Sequence, residues 1–310
     1  MILTVTLNAA LDVTYRVDEL RPQQTHRVSS VVTRAGGKGV NVAAVLTQIR
    51  EPVVATGLVG GPTGEQIRHR LAAARIADSF VPVAADSRRT LVVADRTGAT
   101  GFWEPGPPVT AEEWSAFVAR FRGLATVSRA VVLSGSLPAG VPADAYAELV
   151  TIARELAVPS IVDAEGTALA AALDARPDVV KPNAHELASV TGGTAPDTVT
   201  EVLAAAEALR TRGAGAVVAS RGADGLVAAT PDGAYRAAPP AAVTGNPTGA
   251  GDAAVAALAR GLAYRTGWPA TLTDAVALSA AAVAAPEAGQ VDGREYDRLR
   301  KIITVETVTE

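Results

Sequence analysis

The segment Thr244 to Ala254, Thr-Gly-Asn-Pro-Thr-Gly-Ala-Gly-Asp-Ala-Ala, places three residues with little or no side chain directly before a carboxylate. Gly249, Ala250 and Gly251 leave the backbone uncovered where a helix rich in small apolar residues is expected, from about Asp252 to Tyr264. The first turn of a helix carries unpaired N–H groups and the positive end of the macrodipole, so this arrangement suits an anion such as a phosphate. Asp252 adds negative charge beside that anion site. As a general base it would take a proton from an attacking hydroxyl while the neighbouring amides stabilise charge on a transferring phosphoryl group. As a helix cap it would only close a glycine turn.

Further candidates recur after apolar runs. Asp12, in Asn8-Ala9-Ala10-Leu11-Asp12, is expected at the carboxyl edge of a sheet, where it could accept hydrogen bonds from sugar hydroxyls or serve as a turn residue. In Ala35-Gly36-Gly37-Lys38-Gly39-Val40-Asn41, the glycines permit close backbone approach, Lys38 brings positive charge and Asn41 a two-way amide; Gly after Lys38 excludes a P-loop. Arg88 and Arg89 could hold a phosphate or form a solvated pair. Leu133-Ser134-Gly135-Ser136-Leu137-Pro138 lacks nucleophile-elbow spacing, which favours ligand contact over covalent catalysis. Asn183 and Glu186, in Lys181-Pro182-Asn183-Ala184-His185-Glu186, lie three apart on an expected first helical turn; they could orient Mg²⁺ waters and phosphate oxygens or form a capping box. Ser220-Arg221-Gly222-Ala223-Asp224-Gly225 reads as a nucleotide contact or a hairpin. Scarcity adds weight: the chain has only four Asn (Asn8, Asn41, Asn183, Asn246) and three Lys, and all but Lys301 fall in these segments.

The elements that must position these residues follow from apolar patterning. The 310 residues, 48% hydrophobic, can bury a large core as one large domain or a main domain with an appendage. Buried strands are expected at 2–7, 53–59, 130–133, 160–162, 179–180 and 216–219, and helices at 39–50, 64–75, 111–122, 143–156, 167–173 and 198–212. Their alternation implies parallel crossovers, a sheet covered on both faces, and ligands at the carboxyl ends of the strands. Segments 13–17, 27–32, 90–95 and 100–103 have mixed faces and are expected to form a small antiparallel flap over the main body or against a second subunit. No apolar run long enough to span a bilayer and no basic leader is present, so a cytoplasmic enzyme is expected. Zero cysteines exclude disulfides and thiolate chemistry, three histidines argue against a His-rich metal site, and a net charge of −4 gives no general reason to bind nucleic acid or membrane.

Taken in order and separation, Asn8 to Asp12, Gly-Gly-Lys-Gly-Val-Asn, Leu-Ser-Gly-Ser-Leu-Pro, Lys-Pro-Asn-x-x-Glu and Asn-Pro-Thr-Gly-Ala-Gly-Asp resemble the ribokinase-like PfkB carbohydrate kinases, over residues 1 to about 290. Within them the pattern looks most like the 1-phosphofructokinase and tagatose-6-phosphate kinase branch, and Asn246-Pro247 leans toward the latter. The resemblance implies a three-layer α/β/α sandwich spanning 1–310, with a mostly parallel sheet and a β-sheet lid drawn from about 12–33 and 88–104 that often makes a homodimer contact. It implies ATP near Lys181, Asn183, Ser220, Gly222 and Gly225, and Mg²⁺ held through water by Glu186. Asp252 would be the base and the Gly249, Ala250 and Gly251 amides the anion hole. Asp12, Gly37 and Asn41 map to sugar contacts, and Arg27, Lys38, Arg88 and Ser136 to the sugar's existing phosphate. Ala9 stands where Pro is usual, and Ala164 follows Asp163 where Ser or Thr is usual. The expected reaction is ATP-dependent phosphorylation of a ketohexose monophosphate, tagatose 6-phosphate or fructose 1-phosphate, to the bisphosphate. The alternatives are a 6-phosphofructokinase of the same family or a non-catalytic sugar-phosphate sensor.

Overall fold

The computed structural model describes residues 1–309. Its main sheet has parallel strands in the order β12 (Ala216–Ser220), β11 (Val179–Val180), β10 (Ser160–Asp163), β9 (Ala130–Ser134), β1 (Ile2–Thr6), β4 (Val53–Gly60) and β5 (Ala77–Asp78), with β6 (Val81–Val83) also on β4. Beyond β12 the sheet turns antiparallel through β13 (Leu226–Thr230), β14 (Gly233–Ala237) and β15 (Val305–Thr307); the turn Ser220–Gly225 is the hairpin alternative, joining β12 to β13, while β14 and β15 were not expected.

Side-chain alternation explains how the sheet is covered. On β1, Leu3 and Val5 point into one core with Val131, Leu133, Val162 and Val217, while Ile2 enters the opposite core with Val132, Ile161 and Val218. The first core is closed by α3 (Ala111–Ala125), α4 (Ala145–Glu155), α5 (Gly166–Asp174), α6 (Ala184–Thr191) and α7 (Val199–Thr211), anchored by Phe117, Phe121 and Tyr146. The second is closed by α1 (Lys38–Gln48), α8 (Ala250–Tyr264), α9 (Trp268–Ala284) and α10 (Gly293–Leu299). There about half of α8 and of α9 is Ala or Val, which allows their small-residue faces to pack closely. A third cluster joins α2 (Gly61–Ala73) to β4 and to the base of the lid through Ile67, Leu71, Val59 and Leu11. This is the expected three-layer α/β/α sandwich.

The lid differs from the expected flap in register and direction. Its strands are β2 (Ala10–Arg16), β3 (Ser30–Gly36), β7 (Arg88–Ala94) and β8 (Ala99–Trp103), ordered β3-β2-β7-β8. The two hairpin pairs are antiparallel, but β2 and β7 run parallel, so the sheet is mixed. The second strand starts at Ser30, three residues after Arg27, and runs on to Gly36 rather than ending at Val32, because its register pairs Ser30 with Arg16 and Gly36 with Ala10 across β2. Asp12 therefore sits on a lid strand facing the main body, not at the carboxyl edge of β1. No helix among the described residues is long and apolar enough to cross a membrane.

Candidate active site

The carboxyl ends of β1, β9, β10, β11 and β12 and the inner face of the lid enclose a cavity of about 930 Å³. All four asparagines of the chain line it, with Lys38 and Lys181. Strand alternation selects the lid's contribution: Asp12, Thr14 and Arg16 on β2, Val32 and Arg34 on β3, Arg88, Thr90 and Val92 on β7, and Gly101 and Trp103 on β8.

At the base of the cavity, α8 starts with Gly249 in the left-handed region (φ 87), a conformation that favours glycine and that ends the preceding loop without a side-chain cap. Asp252 lies in the first turn and is buried; its Oδ2 accepts a hydrogen bond of 2.8 Å from Asn41 Nδ2 on α1. Burial, and next the charge of Asp163, push the Asp252 carboxyl up to about 7, against the opposing pull of Asn41, Lys38 and Lys181. A carboxylate with such a raised proton affinity, lying in a cavity, is a candidate for proton transfer.

Around Asp252 lies a charge network that the motif reading left out. Asp163, at the end of β10 and almost fully buried, takes Lys181 Nζ at 3.4 Å and Lys38 Nζ at 3.5 Å. Lys38 also lies 3.8 Å from Glu186 Oε1. Burial pulls the Lys38 ammonium down, but Asp163, Glu186, Asp252 and Glu165 outweigh it and leave the group above its ordinary value. The available signal was positional: Asp163 directly follows a buried strand, the place where Ser134 and Lys181 were noticed. Gly39 lets the first turn of α1 lie on β1, since a Cβ there would meet Val5 O at 2.4 Å. This close approach carries Lys38 and Asn41 to the cavity floor.

The remaining candidates divide into those that converge and those that do not. Asn183 and Glu186 form the capping box, with Asn183 N donating to Glu186 Oε2 at 2.8 Å and Glu186 N to Asn183 Oδ1 at 2.9 Å; Glu186 Oε1 is left facing Lys38. Ser220 is bridged to Asn183 and lines the cavity, whereas Gly222 and Gly225 lie in the turn beyond it, whose Ala223 and Asp224 border a second cavity of about 690 Å³. Ser136 accepts from Asn8 Nδ2 at 3.1 Å, and Arg88 Nε donates to Asn8 O at 3.1 Å, so these three form one polar rim. Arg27 does not join it. It is exposed in an irregular segment before β3 and does not line the cavity, so the expected convergence of Arg27, Lys38 and Arg88 is not formed within the chain. Thr6 Oγ1, Asn8 Oδ1 and Ser134 Oγ are buried at the cavity without a hydrogen-bond partner among the described residues. Orphans of this kind concentrate where a ligand completes the bonding.

A glycine-capped helix start, a buried carboxylate with its proton affinity raised and a lid over a cation-bearing cavity define a phosphotransferase of the α/β sandwich class. The chain belongs to the pfkB family of carbohydrate kinases, whose profile matches residues 3–292. It superposes on phosphofructokinase-2 of Escherichia coli, in a structure solved with potassium, with a TM-score of 0.92 at 26% identity over 97% of this chain and 98% of that one. A protein of Thermotoga maritima described as a possible 1-phosphofructokinase gives a TM-score of 0.89 at 28% identity over 99% of each chain. Ribokinase of Arabidopsis thaliana, at 19% identity and a TM-score of 0.78 over 97% of this chain and 98% of that one, shares the fold. The chain is a carbohydrate kinase, and its family implies ATP as the phosphate donor.

Proposed function

We propose that the enzyme phosphorylates a free hydroxyl of a ketohexose monophosphate, tagatose 6-phosphate or fructose 1-phosphate, and releases the bisphosphate and ADP. The observation that carries this reading is Asp252, held by Asn41 in the first turn of α8 with its proton affinity raised to about 7. In the reaction the sugar hydroxyl oxygen bonds to the γ-phosphorus as the bond from that phosphorus to the β–γ bridging oxygen breaks. Asp252 accepts the hydroxyl proton, and the Gly249, Ala250 and Gly251 amides face the charge on the transferring group. Asp12, Gly37 and Asn41 hold the sugar. Arg88 and Ser136, joined through Asn8, receive with Lys38 from the cavity floor the phosphate that the substrate already carries. Lys181, Asn183 and Ser220 receive the nucleotide phosphates, and Gly222 and Gly225 flank the rest of the nucleotide.

Mg²⁺ fits this donor set. It retains several waters and binds through one or two carboxylates plus substrate phosphates, and Glu186, whose Oε2 closes the capping box, keeps Oε1 toward the cavity. Bound there it would neutralise phosphate charge, with Glu186 acting through water. The E. coli phosphofructokinase-2, also solved with fructose 6-phosphate, favours a second reading in which fructose 6-phosphate is the acceptor. An ADP-release assay over phosphorylated and free ketohexoses decides between them: the expected substrate has the highest kcat/KM, and a preference for fructose 6-phosphate establishes the second reading. No turnover with any phosphorylated ketohexose refutes both. A homodimer through the lid completes the proposal, since Val31 (57% exposed) and Phe102 (54%) lie on its outer face.

A further inference from the structure

Arg34 makes contacts that neither sugar binding nor lid folding requires. On β3 it stands opposite Asp12, and its Nη2 lies 3.5 Å from Asp12 Oδ2. The rest of its guanidinium turns away from the lid, with Nη1 donating to the Ala288 carbonyl and Nε 3.7 Å from Glu287 Oε2. Glu287 and Ala288 belong to the strap that connects α9 to α10. On its other side this strap covers the catalytic helix start. A Cβ on Gly249 would meet Ala288 Cα at 3.0 Å and Gly289 N at 3.1 Å, and one on Gly289 would meet Asn41 Oδ1 at 3.1 Å. Asn41 is the residue bonded to Asp252. The strap is fixed to α1 by Gln48, which donates to Gly289 O at 2.6 Å and accepts from Val291 N at 3.1 Å. Among the described residues, Arg34 is the lid side chain that joins this strap by hydrogen bond or ion pair.

We infer that Arg34 is a positioning residue that couples occupation of the sugar site under the lid to the geometry of the anion hole, through the Glu287–Gly289 strap. A planar guanidinium can hold three oxygens at once, so a shift of Asp12 toward a bound sugar is passed to Ala288 and thence to Gly249. Each ligand then improves the site of the other, and the coupling is reciprocal. The inference rests on the assignment of Asp12 to the sugar and of Gly249 to the transferring phosphoryl group.

The test measures binding of the best phosphorylated ketohexose from the activity panel, with and without Mg²⁺ and the β,γ-imido analogue of ATP. Wild type is expected to show mutual tightening within the usual 5- to 150-fold range of coupled sites. In Arg34→Gln that factor falls toward one, while affinity for the analogue alone is retained. Arg34→Lys, which keeps the charge but not the fork, does not restore it. Glu287→Gln removes one contact at a part-exposed position and lowers the factor partway, which keeps the inference testable should Arg34→Gln fold poorly. A selective loss of sugar-phosphate affinity with intact coupling would make Arg34 a phosphate ligand and overturn the inference. So would a lowered Tm with intact coupling, or a wild type without coupling. Failure of the sugar-phosphate reading itself is recorded separately, as absent turnover in wild type.

Discussion

On the sheet side of the cavity, Asp163, Lys181 and Asp252 are 2%, 5% and 7% exposed, and each has charged or hydrogen-bonding partners fixed by strand ends and helix starts. On the lid side, Trp103 is 67% exposed at the cavity mouth, Val31 and Phe102 face outward, and Arg88 reaches only a backbone carbonyl. Interactions among buried charges are strong because water is excluded, whereas at the exposed positions of the lid they are screened. The sheet side is therefore suited to the chemistry that every substrate undergoes, and the lid to deciding which substrate undergoes it. That division has consequences of different size.

The largest lies at Asp252. Asp252→Asn is expected to lower kcat by roughly 100-fold or more with nucleotide binding retained, because the proton acceptor is lost in the transition state. A variant within a few-fold of wild type refutes the assignment. In wild type, kcat/KM should rise with pH through about 7 as the base ionises. Stability runs the other way. The folded-state proton affinity of Asp252 is raised from 3.8 to about 7, so its contribution to stability is present below pH 3.8 and lost as pH rises through about 7. The Tm difference between Asp252→Asn and wild type should grow in favour of the variant across that window. Asp163→Asn sharpens the point: it removes a charge that opposes ionisation of Asp252 and frees Lys38 and Lys181 to favour it, so the acidic limb moves to lower pH. An unmoved limb would detach Asp163 from the tuning of the base.

Lys38 stands between the two walls and tests the division directly. If it helps to hold the phosphate already on the substrate, Lys38→Met lowers kcat/KM for the phosphorylated ketohexose by roughly 10- to 150-fold, from about 1.5 to 3 kcal/mol per charge-assisted contact, and leaves the free sugar unchanged. Its approach to Asp163 and Glu186 sets up the opposite outcome. Equal loss on both substrates would assign Lys38 to the transferring phosphoryl group and to the chemistry of the sheet side. Kinetics on a matched pair at fixed ionic strength separates the two.

Glu186→Gln is expected to act less strongly. Its Oε2 closes the capping box on Asn183, and Oε1 remains for water around a metal. The variant should raise the Mg²⁺ concentration for half-maximal rate. A lower Tm with an unchanged metal requirement would leave only the cap, which is worth about 1 kcal/mol.

How much of this was legible in the sequence follows the same division. The inner parallel strands and most of their helices were readable because burial on both faces demands continuous apolar runs, whereas the short β5 and β6 and the helices α9 and α10 were not expected; the scarcity of Asn and Lys marked the cavity floor. The turn into β13 was read as one of two alternatives, and β14 was missed because an Ala- and Gly-containing strand carries little β signal. Asp163 was passed over as a departure from a motif, and Arg34 as one Arg among many; their importance comes from partners more than a hundred positions away in Lys38 and Ala288. The lid direction was misjudged because a parallel pairing of β2 with β7 is set by where the chain re-enters, which local alternation does not encode.

The smallest expected effect on the single chain is the sharpest test of the lid. Val31 lies on an edge strand with its side chain on the outer face, so Val31→Lys should change the stability of an isolated chain by no more than about 0.5 kcal/mol. If two copies pack these outer faces about a two-fold axis, the interface is self-complementary, and each substituted chain brings a like charge to the same patch. The buried charge is costly there and has no carboxylate of the lid's outer face to pair with, since the strand alternation sends Asp12 to the cavity. Wild type is then expected to sediment as a dimer and Val31→Lys as a monomer at the same concentration, with Tm nearly unchanged. A monomeric wild type, or a variant that remains dimeric, would remove the second copy from the lid and leave the single chain to cover its own substrate.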